Sequence, residues 1–221
     1  MSDPTLWTII GSAGSRSDQA LVDRWGRITP LPAGPSLDFA LQPDGGPLLT
    51  AATQPPAAVR QRMQGRLPVV ATAWEWRTLR LATEAYVCTL DDAPDAPTYV
   101  AVQAVVFNLS DDAARGHFAV TVTPYTPTGP APIRRLAYRD GAFVVNGQIF
   151  AVCLPRPPAW DCSVGADAAT FGGHNPLLPA TLRSSAYNRA GGCHGWAVYA
   201  YHIAPWEEVE FLAFLPLPGV R

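Results

Sequence analysis

The chain has 221 residues, of which 48% are hydrophobic and 15% charged, and its formal net charge is −2. This is enough apolar sequence for a full hydrophobic core, while the charge balance lacks the basic surface that nucleic-acid binding requires. All 16 basic residues are arginine, so chemistry that depends on a lysine amine is excluded.

The N-terminal residues predict neither a targeting signal nor a membrane anchor. They contain no cationic segment and only a short apolar run, and no apolar stretch in the chain reaches the ~18 residues that span a bilayer. Four cysteines without a CxxC motif or a dense framework are typical of reduced thiols. We therefore expect a cytoplasmic protein in which Cys88, Cys153, Cys162 and Cys193 are unpaired.

The first third of the chain predicts short strands and one helix. Apolar runs at residues 6–10 and 25–28 favour strand segments, and alternation at residues 37–41 predicts another strand. Between the first two runs, Ser17 followed by apolar residues at helical spacing favours a turn or two of helix. Residues 55–65 begin with two prolines, continue through helix-forming residues and end at glycine, which predicts a helix.

Three strand-like runs occupy the centre of the chain, at residues 79–88, 100–107 and 118–123. Each alternates with period two, as expected for a strand with at least one buried face. The turn-rich segments DDAPDAP and SDDAARG separate them. Successive strands with short connections predict an antiparallel meander.

The C-terminal part combines clear hairpin signals with one irregular region. Asp-Gly at residues 140–141 predicts a turn, and Asn-Gly at residues 146–147, between apolar runs, predicts a type I′ hairpin. Residues 155–192 show no sustained period and are interpreted as a long loop. Strand patterns return at residues 196–203 and 208–215.

These elements predict an all-β fold. Strands outnumber helices, and strands and helices do not alternate as they would in a parallel α/β sheet. We expect a single domain over residues 1–221, built as a two-layer antiparallel β-sandwich, supersandwich-like, with one or two short helices.

Tryptophans beside acidic residues are the candidate ligand contacts. Trp74 and Trp76 share one face of a strand around Glu75, and Trp160 precedes Asp161 in the irregular region. If exposed, the rings could stack on the apolar C–H faces of sugars; if buried, they would belong to the core or an interface. The predicted carbohydrate-binding residues are Trp160, Asp161, Trp74 and Trp76.

No metal, cofactor or catalytic residue is predicted. The cysteines and histidines lack CxxC and HxxxH spacing, and the sequence contains no GxSxG nucleophile motif. The glycine-rich segment GSAGSRS lacks the lysine of a phosphate-binding loop.

The segment PYTPTGPAPI at residues 124–133, after a strand that ends VFNLS, resembles the N-terminal β-sandwich of large bacterial glycoside hydrolases. The Asn-Gly hairpin with VCLPRPPAWDCSVGADAATF, and the closing VEFLAFLPLPG, are similar to later stretches of such sandwiches. In these enzymes, which are similar to glucoamylases and glycogen-debranching amylo-α-1,6-glucosidases, an (α/α)6 barrel follows and carries the catalytic acid and base. The resemblance implies a domain without catalytic residues, with residues 155–192 as a loop at the rim of the cleft.

The leading hypothesis is a non-catalytic β-sandwich domain of a carbohydrate-active enzyme. Its partner would be an (α/α)6-barrel catalytic domain in cis or in trans, and it could contact a glucan or another oligosaccharide. One alternative is a free-standing carbohydrate-binding module, which needs two or more tryptophans or tyrosines in one exposed groove. The other is an aldose-1-epimerase-like enzyme, which needs a glutamate base and histidine acids in one pocket.

Overall fold

The protein folds into two packed antiparallel sheets, which confirms the predicted all-β sandwich. The structure, a computed structural model, describes residues 7–11, 18–30, 34–65, 68–89, 91, 96–126, 129–164 and 182–217. No helix in these ranges is long and apolar enough to cross a membrane. The helices they contain are two 3-10 helices of three residues each, Ala51–Thr53 and Pro56–Ala58.

The first sheet has eight strands in the described part of the chain. They are β1 (Trp7–Gly11), β2 (Gln19–Asp23), β3 (Ile28–Pro30), β4 (Ser36–Pro43), β5 (Leu49–Thr50), β10 (Ala114–Thr123), β16 (Ala159–Val164) and β18 (Cys193–Ile203). Their order is β1–β2–β3–β4–β10–β18–β16. β5 also pairs with β4, along the part of its edge that β3 does not pair.

The second sheet has nine strands among the same described residues. They are β6 (Arg60–Met63), β7 (Val70–Trp76), β8 (Leu79–Thr89), β9 (Thr98–Asn108), β13 (Arg135–Arg139), β14 (Ala142–Val145), β15 (Gln148–Leu154), β17 (Ser185–Tyr187) and β19 (Glu208–Pro216). Their order is β17–β13–β14–β15–β19–β9–β8–β7–β6. A small hairpin, β11 (Tyr125–Thr126) with β12 (Gly129–Pro130), lies in the segment that carries the family resemblance.

One continuous core joins the two sheets. At its centre, the Phe118 ring of the eight-stranded sheet stacks on Phe211 of the nine-stranded sheet, with ring centroids 4.3 Å apart. Phe39 and Tyr199 flank Phe118 at 6.1 and 6.0 Å. Alternating side chains of the long strands supply the rest of the core, as the period-two pattern predicts.

The central meander is only partly as predicted. β8 and β9 pair along their full length, from Leu79 opposite Asn108 to Thr89 opposite Thr98. The third run, β10, crosses instead to the other sheet, where it lies between β4 and β18. β10 is buried from Phe118 to Thr123 and has a paired neighbour on each edge, so it occupies a central position in the eight-stranded sheet.

Both predicted turns are present. The connection from β13 to β14 places Asp140 and Gly141 at φ values of 53° and 82°. Asn146 and Gly147, between β14 and β15, have φ values of 51° and 94°. Two consecutive residues at positive φ are the signature of a type I′ turn, whose twist matches that of the flanking strands. The predicted hairpin at residues 146–147 is therefore confirmed.

The helix predicted at residues 55–65 is wrong. Only Pro56–Ala58 forms a single 3-10 turn, and Arg60–Met63 is an edge strand paired with β7. The Gln61 amide donates to the Thr72 hydroxyl at 3.0 Å and to the Asp23 carbonyl. Pairing and these side-chain bonds outweigh the helix preference of the segment, which amounts to only a few tenths of a kcal/mol per residue.

Two other early predictions are also corrected. The segment after Ser17, expected to be helical, is strand β2, with Ala20 and Val22 in the core. Residues 25–27, expected to begin a strand, belong to a turn that the Asp23 side chain closes, and only Ile28 of the predicted run 25–28 lies in a strand, β3. The strand predicted at residues 37–41 is confirmed as part of β4, and residues 7–10 of the strand predicted at 6–10 lie in β1, whereas Leu6 lies outside the described residues.

The region 155–192 is more regular than predicted. It contains β16, which pairs with β18 along Ala159–Val164, and β17, which pairs with β13. Between them, the Arg183 carbonyl accepts from the Cys162 amide and the Ser184 carbonyl accepts from the Tyr138 amide, so this segment bridges the two sheets. Residues 165–181 of this region lie outside the described part of the chain.

Candidate functional site

The two tryptophans of β7 do not form an exposed pair. Trp74 lies in the core with 3% of its surface exposed, which matches the core alternative stated for it from the sequence. Trp76 is half-buried and packs against the same core, and the Arg77 guanidinium carbon lies 4.5 Å from the centroid of its ring. Sugar stacking on Trp74 would require β7 to leave the sheet.

Trp160 and Asp161 lie on opposite faces of the edge strand β16. Trp160 is half-buried and stacks on Tyr138 of the other sheet, with ring centroids 5.0 Å apart. Asp161 has no exposed surface and accepts hydrogen bonds from the Arg183 amide, at 2.7 Å, and from the Ser163 hydroxyl. These contacts attach the segment after residue 181 to the sheet. Trp160 and Asp161 belong to the eight-stranded sheet, whereas β7 belongs to the nine-stranded sheet.

A row of polar and aromatic residues crosses the outer face of the eight-stranded sheet. Asp38 of β4 is opposite Thr121 of β10, Thr121 is opposite Trp196 of β18, and Trp196 is opposite Asp161 of β16. This row is not apparent in the amino-acid sequence, because its members come from four strands that are distant in the chain. The only available signal was polar residues at alternate positions of β4 and β10.

Buried charges stand at one end of this row. The Arg27 guanidinium donates to the Asp38 carboxylate at 3.3 and 3.4 Å, and Asp23 accepts from the Trp25 and Arg27 backbone amides. Burial raises the pKa of Asp23 to about 6, although Arg27 opposes the shift. The Asp38 carboxylate beside Arg27 raises the pKa of that guanidinium further.

Histidine and tryptophan stack at the other end of the row. The His194 and Trp196 rings, two residues apart on β18, are 5.4 Å apart with an interplanar angle of 20°. Desolvation by burial lowers the pKa of His194, so the imidazole is neutral at physiological pH.

The glutamates and histidines that an epimerase-type site requires are distributed over different strands. The glutamates belong to the nine-stranded sheet or to its connections, whereas the described histidines belong to the eight-stranded sheet. The glutamates are Glu75, Glu84, Glu207, Glu208 and Glu210; the histidines are His117, His194 and His202. His174 lies outside the described residues.

Cysteine and metal chemistry gain no support either. All four cysteines are free, and desolvation raises the pKa of the Cys153 and Cys162 thiols to about 12. Such thiols are protonated at neutral pH and are poor nucleophiles. Within the described ranges, no group of three or more histidine, cysteine, aspartate or glutamate side chains could hold a metal ion.

The outer face of the nine-stranded sheet is unusually apolar. Its members alternate with core residues along β8, β9, β15 and β19 and lie opposite one another, as in the pairs Val152–Phe214 and Leu154–Leu212. Most are half-buried, and Leu154 is 44% exposed. This surface, here called the outer apolar face, comprises Ala82, Tyr86, Tyr99, Ala101, Val105, Phe107, Val152, Leu154, Leu212 and Phe214.

Charged and polar side chains border or interrupt the outer apolar face. Glu210 is opposite Val105, Arg80 is opposite Phe107, and Gln103 and Glu84 form a pair within it. An antiparallel sheet whose second face meets water normally alternates apolar and polar residues. An apolar sheet face with a polar border is instead typical of an interaction surface.

No protein-family model matches the chain, and no curated protein sequence matches it significantly.

Proposed function

We propose that this chain is a non-catalytic β-sandwich domain of a carbohydrate-active enzyme that packs on an (α/α)6-barrel catalytic domain. The observation that carries the proposal is the outer apolar face, where four adjacent strands direct aromatic and aliphatic side chains away from the core. A sheet in this state gains stability when helices or another sheet cover it.

The chemistry of the described residues agrees with a supporting role. Glycoside hydrolysis needs two carboxyl groups facing one sugar, one of them protonated. The buried Asp161 is occupied by bonds that hold the chain together, and the Asp23 carboxyl closes a turn. In this proposal the acid and base belong to the barrel, as the resemblance at residues 124–133 implies.

The test requires a barrel domain encoded in the same reading frame or beside it. Binding between that barrel and this chain is measured by calorimetry, for the unchanged chain and for the double variant Leu154→Arg/Leu212→Arg. We expect the variant to bind at least tenfold more weakly, because two charges would be buried on the outer apolar face. Both side chains point away from the core, so the fold should survive.

Ile9→Arg is the matched control. Ile9 is also highly exposed, but it lies on the edge strand β1 of the other sheet, and the variant should bind the barrel normally. The proposal fails if the barrel does not bind, if both variants weaken binding equally, or if this chain alone hydrolyses malto-oligosaccharides. Heat released when malto-oligosaccharides are added to the chain alone would favour the carbohydrate-binding module instead.

A further inference from the structure

Trp206 stands out in the connection from β18 to β19. Its side chain is 66% exposed, more than any other large hydrophobic side chain in the described part of the molecule. Its φ is 61°, in the left-handed region that bulky residues avoid. The Glu207 amide donates to the Ala204 carbonyl at 3.2 Å, so Pro205 and Trp206 occupy the two central positions of a type II turn. Glycine is the usual residue at the second of these positions.

The indole is held in one orientation. Its Nε1–H donates to the carboxylate of Asp111 at 2.9 Å, and Asp111 lies in the connection between β9 and β10. The buried Asn108 amide fixes both connections, because it donates to the Asp112 carbonyl at 2.7 Å and to the Ala204 carbonyl at 3.0 Å. The indole is therefore mostly exposed, with its N–H directed at the Asp111 carboxylate.

Contacts within the molecule do not explain why tryptophan occupies this position. An exposed hydrogen bond contributes little to stability, and a ring that is mostly in solvent buries little area. Strained backbone conformations of this kind cluster at functional sites, where the surrounding structure holds them in place. An exposed aromatic ring on a rigid turn is typical of a residue that contacts a partner.

The surroundings of the ring indicate the chemistry of that partner. Asp111, Asp112 and Glu207 lie within the two connections, Glu208 is the first residue of β19, and all four are exposed. Carboxylates beside the electron-rich faces of an indole favour a cation over a neutral or anionic group. Since the indole N–H is already donated to Asp111, a ligand meets the ring faces.

Contacts between a cation and an aromatic ring occur elsewhere in this molecule. Guanidinium groups lie over aromatic rings at Arg24–Trp25, Arg77–Trp76, Arg80–Phe107 and Arg135–Tyr187, at 4.2 to 6.0 Å from the ring centroids. Among the described residues, no such cation lies over Trp206. The position thus has the ring and the acids of a cation site but receives no cation from the described part of its own chain.

We propose that Trp206, with the carboxylates of Asp112, Glu207 and Glu208, binds an arginine or lysine side chain presented by a partner protein. The site lies on an exposed turn, which suits a protruding side chain of a facing surface better than an enclosed small molecule. The proposal does not depend on a role in carbohydrate metabolism.

The test follows the Trp206 indole resonance of the full chain by NMR, identified as the cross-peak that the Trp206→Phe variant loses. The probes are tetra-arginine, tetra-citrulline as the neutral isostere, and maltotriose. We expect tetra-arginine to shift the peak in a saturable manner at low salt, with affinity that falls at least fivefold in 0.3 M NaCl and for tetra-citrulline.

Two variants complete the test. Asp112→Asn/Glu207→Gln should weaken tetra-arginine binding at least threefold without a change in melting temperature. Trp206→Gly, observed through the backbone amides of residues 108–112, should lose the binding and melt at a higher temperature, because glycine adopts positive φ freely. Equal responses to arginine and citrulline, a shift with maltotriose alone, no shift at all, or unchanged binding by Trp206→Gly would each overturn the proposal.

Discussion

The buried carboxyl of Asp23 closes a turn by hydrogen bonds, but burial destabilises its ionised form. Its side chain accepts two backbone amide hydrogen bonds and closes the turn between β2 and β3. Only 1% of its surface is exposed, and the loss of hydration raises the pKa of the carboxyl to about 6. Arg27 favours the charged form, whereas Asp38 opposes it. Desolvation is the largest of these effects, so ionisation of Asp23 lowers the stability of the folded state.

This balance predicts a stability that depends on pH. The pKa of Asp23 in the folded protein, about 6, exceeds the ordinary value of 3.8, so between these values the folded state binds the proton more tightly. Its contribution to the free energy of unfolding is therefore greatest below pH 4 and is lost as pH rises through 6. The difference is at most about 3 kcal/mol.

Asp23→Asn keeps an oxygen that can accept the two backbone bonds and removes the titration. Urea unfolding between pH 4 and pH 7.5 should show the variant gaining stability relative to the unchanged protein as pH rises, by on the order of 1–3 kcal/mol. Asp112→Asn, at an exposed site, should follow the unchanged protein at every pH. Parallel curves for Asp23→Asn and the unchanged protein would contradict the assignment.

At the scale of elements, the connections that cross between the sheets depend on Asn108. This side chain, 1% exposed, donates to the carbonyls of Asp112, Ile203 and Ala204 and accepts from the Ser110 amide and hydroxyl. The connection from β9 to β10 and the connection from β18 to β19 are thereby joined at one corner. The Asn-Leu-Ser sequence here is a structural turn whose side-chain amide replaces missing backbone partners.

Asn108→Ala should therefore destabilise the protein by about 2 kcal/mol, because it leaves buried carbonyl groups without a donor. Asn108→Asp should cost at least as much, since a carboxylate cannot donate to the three carbonyls. Chemical denaturation measures both. Ser110→Ala, which removes one partly exposed partner, is the control and should cost less than half as much; equal losses would mean that the corner does not depend on the amide.

Local sequence predicted the elements whose geometry is decided locally. The turns at residues 140–141 and 146–147 follow from side chains that tolerate positive φ, and the long strands follow from period two. The strands β2, β6 and β16 differ from the predictions for their segments, which are helix for the first two and irregular loop for the third. Each is a short strand at or near a sheet edge, where pairing with a distant neighbour outweighs a weak local preference.

At the scale of the whole molecule, Phe118 joins the two sheets into one core. It is fully buried, and its ring stacks on Phe211 across the interface between the sheets. Phe118→Ala should lower the free energy of unfolding by about 3–5 kcal/mol, because the cavity would open between two sheets that cannot collapse onto it. Circular dichroism and tryptophan fluorescence should report one common transition.

Phe107→Ala is the matched control for the core. Phe107 lies on the outer apolar face, half-buried beside Arg80, so its removal should cost less than 2 kcal/mol in the isolated chain. Two separated transitions in Phe118→Ala would show that the sheets unfold independently. A large loss in Phe107→Ala would show that the outer face is already covered.

The sequence by itself determined that the chain is all-β, where its tight turns fall, and which residues alternate along its long strands, because these depend on side chains only a few positions apart. The tertiary structure decided that β10 leaves the meander for the other sheet, that Trp74 is core, and that Asp38, Thr121, Trp196 and Asp161 form one row. It also placed the apolar positions of four strands on one outer face. The pairing of strands depends on how much apolar surface the whole sandwich buries, and a local sequence pattern does not report that burial.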